Sequence, residues 1–150
     1  ASDDLRSTLV IAQAAVRRTG LALHHVDESL KAERDLVLMA VAQNGNALQH
    51  AATSLQSDHD VVVAAASNNP RALLHASSAL TSNEHFMSEV INRNVGCLRY
   101  AAPELASNRD FVLSIVSRSS TALAHASSEM QCDQDIVFAA IAQDGHALQF

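Results

Sequence analysis

The pair Ala-Leu recurs in steps of 25 residues, at Ala22, Ala47, Ala72, Ala122 and Ala147, with Cys-Leu at Cys97, and it opens the phrase Ala-Leu-x-x-Ala at 47, 72 and 122. The leucines inside it, Leu23, Leu48, Leu73, Leu98, Leu123 and Leu148, hold that interval without slippage. A fixed short period is the mark of small units stacked on their neighbours, and it constrains the fold more than any local propensity does. It predicts an all-α chain, an α-solenoid of stacked helical hairpins in six copies of a 25-residue repeat. The copies span roughly 8–32, 33–57, 58–82, 83–107, 108–132 and 133–150, with 1–7 as the tail of a preceding unit. Residues 1–8, ASDDLRST, align with ASSALTSN at 76–83, so the chain reads as a segment of a longer protein that begins and ends inside a unit.

One repeat, residues 33–57, illustrates the expected hairpin. Leu36, Val37, Ala40 and Val41 make one helical face, which predicts a first helix over about 34–43. Ahead of it runs a cap column of Thr8, Glu33, Asp58, Asn83, Asn108 and Asp133, mostly residues that can accept from free helix amides. Asp35, Asp60, Asp110 and Asp135 follow two positions on, where carboxylates suit the positive helix end. A second cap column, Thr19, Asn44, Asn69, Asn94, Ser119 and Asp144, predicts a second helix carrying Ala47, Leu48, Ala51 and Leu55. Pro103 is expected to end that second helix near Ala102 in the unit at 83–107. Helices of about eight to ten residues are too short to persist alone in water, so neighbouring units must share a core. The alanine columns at 40, 65 and 140 and at 51, 76, 101 and 126 mark where backbones come closest.

Composition narrows the chemistry. The formal net charge is −6 and Lys31 is the only lysine, which disfavours nucleic acid as a partner. The apolar share is 48%, but Trp is absent and there are only one Tyr and four Phe, so stacking platforms for bases are scarce. No run of about 18 apolar residues exists, so no membrane span is expected. Two cysteines, Cys97 and Cys132, do not make a disulfide framework, which fits a cytoplasmic setting. No GxSxG, P-loop, HExxH or CxxC motif occurs, so no catalytic residue, cofactor or metal is expected.

Eight histidines invite a metal reading, but their register opposes it. His25, His50, His75 and His125 fall in one repeat column, with Tyr100 and Phe150 in the other places. A column places its members in file, about 8–10 Å apart, whereas zinc needs three or four ligands converging on one point. Replacement by Tyr and Phe points to a half-buried ring with a polar tip. A pH-sensing role is the alternative. His24, His59, His85 and His146 lie outside the column and read as surface residues.

The candidate binding edge is polar. Arg18, Gln43, Asn68, Arg93, Arg118 and Gln143 close the first helix, facing a second column that includes Arg71. Varied side chains on a constant scaffold are how repeat proteins build recognition surfaces. The alternative is that these groups serve the negative helix end.

The unit DLVLMAVAQNGNALQHAATSLQSD at 35–58, echoed by DIVFAAIAQDGHALQF at 135–150, resembles the DUF4116 repeat, a domain of unknown function whose segment covers about two hairpins. Val95 and Ser120 depart from its glycine turn, and Val10 from its leading Asp. The resemblance implies an array within a bigger protein, of a kind found in protists and in bacteria living inside host cells, and it supplies no catalytic residue. The expected function is a non-enzymatic module for protein–protein interaction or scaffolding, with another protein or other domains of the parent chain as partner. Alternatives are binding of single-stranded nucleic acid or a small ligand along the polar edge, or service as the accessory domain of an effector-type enzyme, which would place it in the host-cell cytosol. Half-units at the two ends also suggest end-to-end self-association.

Overall fold

A computed structural model describes residues 2–143, with side chains from residue 8. Among the described residues all regular structure is helical. Long helices run over Ser2–Arg18, Arg34–Gln43, His59–Asn68, Glu84–Arg93, Arg109–Val116 and Gln134–Gln143. The chain divides into two compact units, Ala1–Ser77 and Ser78–Phe150, each carrying three of these helices. Within each unit, successive repeats stack on one another.

The repeat is a three-part element instead of a hairpin of two α-helices. After the long helix comes a six-residue 3-10 helix, as at Gly45–His50 or Pro70–His75. The pattern Ala47, Leu48, Ala51 suits a period of 3.0 as well as 3.6 over so few residues. With the tighter period Gly45, Leu48 and Ala51 align on one side, and all three are buried. A short closing turn follows, Leu30–Ala32, Leu55–Ser57, Ser78–Thr81, Pro103–Ala106 and Ser128–Gln131. Leu55 therefore belongs to this third piece. Pro103 starts it instead of ending the helix before, because proline lacks only an amide that the first helical turn leaves unpaired anyway.

The cap columns sort by geometry. Asp58, Asn83, Asn108 and Asp133 accept from the amides of Val61, Phe86, Phe111 and Ile136 at 2.8–3.1 Å. Glu33 makes no such bond, its extra methylene placing the carboxylate badly. Thr8 is not a cap at all, since the first long helix runs through it from Ser2 to Arg18. In the second column Asn44, Asn69 and Asn94 cap the 3-10 helices at 3.0–3.1 Å. Thr19 and Ser119 make no side-chain cap, and Asp144 lies outside the described residues.

In each unit the core is made of apolar columns. Leu23, Leu48, Leu73, Leu98 and Leu123 are at most 4% exposed. Burying a leucine or valine contributes about 1.5–3 kcal/mol, so these columns supply the main attraction between repeats. A backbone ladder accompanies them: Ala52 donates to the Lys31 carbonyl and Ser77 to that of Gln56 in the first unit, and Ala102 to that of Thr81 in the second, each at 3.0 Å. No helix among the described residues is long and apolar enough to cross a membrane.

Candidate binding surfaces

The polar edge lies where the long helices Arg34–Gln43, His59–Asn68 and Gln134–Gln143 meet the 3-10 helix of the repeat before them. Its amide members are spent on that junction. Gln43 Oε1 accepts from the backbone amide of Gly20 at 2.5 Å, and Asn68 Oδ1 accepts from that of Gly45 at 2.7 Å. Asn68 also donates to the Ala42 carbonyl at 3.1 Å, and Gln143 donates to that of Ser117. The side chain thus satisfies orphan amides and carbonyls at the helix ends of its neighbour. Such bonds require close approach, and Gly20 and Gly45 allow it: a Cβ on either would overlap the carbonyl oxygen of Ala40 or Ala65. These two glycines do not have positive φ, so space alone selects them.

The arginine members behave otherwise. Arg93 pairs with Glu89 of its own helix at 3.2 Å, and Arg118, just past the end of the helix Arg109–Val116, donates back to the Ser114 carbonyl at 3.2 Å. Arg18 and Arg71 are exposed. The edge therefore presents separate cations between amide connectors, with no shared anion cradle among its described members.

Two arginine clamps escaped sequence reading. Arg34 forks onto Asp58 (3.1 and 3.4 Å) and reaches Asp60 at 2.5 Å. Arg109 forks onto Asp133 (2.8 and 3.1 Å) and also pairs with Asp135. Each clamp ties one repeat to the N-cap of the next within one unit. The Val61 amide, followed by Arg34, holds the Asp58 carboxyl below its ordinary range. Asp133 is lowered first by Arg109 and then by the Ile136 amide. The recurrence of Arg-Asp at 34 and 109 and of Asp-x-Asp at 58 and 133 was the available signal.

The ring column is unevenly buried. His25 is exposed, while His50, His75, Tyr100 and His125 are half-buried, and Phe150 lies outside the described residues. The His24 and His50 rings lie 4.6 Å apart between centroids. Burial pushes the His50 imidazole below its usual value, with His24 and Lys31 adding to the effect. Among the described residues no three His, Cys, Asp or Glu side chains gather as a metal site would need. Burial raises the Cys97 thiol to about 12, so it is not a thiolate at neutral pH.

One column member opens on a pocket. In the second unit, about 330 Å³ of space is bounded by Leu98, Arg99, Ala106, His125, Ser128 and Gln131. It exists because Ala106 takes the register position of Gln56, and Ala124 that of Leu74. His125 Nδ1 is buried beside it without a hydrogen-bond partner. Burial, followed by Arg99, lowers the His125 pKa.

Comparison with known family models gives matches to one family, a domain of unknown function called DUF4116, over residues 10–56, 33–81, 83–131 and 108–150. The chain belongs to the DUF4116 family. Each DUF4116 match spans about two of the three-part repeats. Comparison with curated proteins and with solved structures gave no match.

Proposed function

We propose that this DUF4116 array is a non-enzymatic interaction module that docks another protein, or a neighbouring domain of a longer chain, along the outward side of its 3-10 helices. The observation that carries this reading is the column beside the core leucines. His24, Gln49, Leu74 and Arg99 occupy it and are exposed, and Ala124 is half-buried. Their neighbours in the leucine column never change and are at most 4% exposed. A constant interior beside a varied exterior is how solenoids acquire specificity. Leu74, 62% exposed, is an apolar anchor of the type that interaction surfaces use.

The test is a peptide-display selection against the chain, with Leu74→Asp as the counter-target. Binders that lose affinity for this variant, while its circular dichroism stays native, support the reading. Retention of single-stranded RNA in a gel shift at about 0.15 M salt, where screening weakens exposed charge contacts, would contradict it. Small-ligand binding is a second reading, favoured by the pocket beside His125 and its unpartnered nitrogen.

A further inference from the structure

The pocket beside His125 lies wholly within the second unit. It stands where a side chain that two other repeats supply is absent. Gln56 and Gln131 share one register position. Each reaches the 3-10 helix of its own repeat: Gln56 Nε2 donates to the Leu48 and Ala51 carbonyls at 3.2 Å, and Gln131 Nε2 donates to the Leu123 carbonyl at 3.0 Å. Ala106 holds that position in the repeat at 83–107 and has no amide to give. The Leu98 carbonyl, equivalent to those of Leu48 and Leu123, accepts from the Ala101 amide at 3.2 Å. A carbonyl oxygen can accept two hydrogen bonds, so Leu98 goes without the side-chain donor that its equivalents have.

A second acceptor beside the pocket is also short of a donor. His125 Nδ1 is buried without a hydrogen-bond partner. Buried polar atoms are nearly always bonded, because a group that leaves water and gains nothing in exchange is costly. Burial, and then Arg99, lowers the pKa of this imidazole, so the ring is neutral at pH 7. With its proton on Nε2, the ring offers Nδ1 as an acceptor.

The rest of the lining suits an anion. Arg99 is exposed and supplies a full positive charge, and Ser127 and Ser128 add hydroxyl groups. Among the described residues that line the pocket none is a carboxylate. A guanidinium binds a carboxylate through two parallel N–H bonds, which fixes orientation as well as charge. The space of about 330 Å³ lies at the small end of the range for small-molecule sites, so the occupant is small.

We infer that this pocket takes a small organic acid that also carries a hydrogen-bond donor, an amide or a hydroxyl, with its carboxylate on Arg99 and its donor on the Leu98 carbonyl. The ligand's donor plays the part that the glutamine amide plays in the equivalent repeats. The inference rests on the small-ligand reading of the pocket and adds the chemical class to it.

Titration of the isotope-labelled full chain, followed by its backbone amide signals, tests this. The probes are N-acetyl-L-glutamine and L-lactate, each with one carboxylate and a donor, and the neutral carboxamides of both. At millimolar concentration the two acids should shift the signals of Arg99, His125 and Ser128. The carboxamides should bind about tenfold more weakly, and so should the acids to Arg99→Gln. Ala106→Gln installs the residue that two other repeats carry, so its circular dichroism should stay native while the shifts disappear. Carboxamides that bind as well as the acids would overturn the assignment of charge and leave a small-ligand pocket standing. No shift in the wild type with any probe would overturn both. Shifts that persist in Ala106→Gln would place binding elsewhere and would also overturn the proposal.

Discussion

Replacing Leu98 by Ala should destabilise the chain by about 2–5 kcal/mol, read as a lower midpoint in urea followed by circular dichroism. Leu98 is 2% exposed and sits mid-way along the 3-10 helix Val95–Tyr100. It belongs to the leucine column shared between neighbours, so its loss strips contacts from more than its own repeat. The site is also poorly able to collapse. Leu98 already borders the pocket of about 330 Å³ beside His125, and truncation would enlarge that space instead of letting side chains close over it. The cost of such a deletion grows with the cavity that remains, which places this change toward the upper part of the range. A loss below about 0.5 kcal/mol would mean that the leucine column is not core.

Gly45→Val should have the second large effect, about 1–3 kcal/mol or more from overpacking. The backbone at Gly45 has no special dihedral, so valine is not excluded by conformation. It is excluded by the next repeat. Even a Cβ would overlap the Ala65 carbonyl oxygen and sit 3.0 Å from the Cβ of Asn69. Neither neighbour is a flexible side-chain tip, so relief requires the two repeats to part. Parting them also weakens the bond from the Gly45 amide to Asn68. Pro70, Val95 and Ser120 hold this register position in the next three repeats. An unchanged urea midpoint for Gly45→Val would contradict this account of the glycine.

Much of this architecture was legible in the sequence because it rests on periodicity. The 25-residue interval announces stacking, and the columns through Leu36, Val37, Ala40, Val41 and Leu48 are the buried ones. Asp58, Asn83, Asn108 and Asp133 cap as their chemistry suggests, since a short acceptor before an apolar helix has few other uses. Thr8 misled, because helix propensity upstream let the first long helix run through a residue able to cap. The 3-10 geometry was hidden for a different reason: six residues are too few to separate a period of 3.0 from one of 3.6.

The polar edge was located but its use was not. Nothing local to Gln43 or Asn68 shows that their side chains reach back to Gly20 and Gly45, because those bonds depend on how closely two repeats pack. The clamps of Arg34 and Arg109 were missed likewise, since an Asp near a helix start already has a sufficient local explanation in the helix dipole.

At the centre of this account is the idea that, at the Gly20 and Gly45 junctions, one repeat's backbone is completed by a side chain of the next. Hydrogen exchange at the Gly45 amide in wild type and in Asn68→Ala measures it most directly. Slow exchange in wild type, and faster exchange at Gly45 but not at the Gln43-bonded Gly20 in the variant, is the expected result. A Gly45 amide that exchanges freely in wild type, or one indifferent to the loss of Asn68, would contradict it.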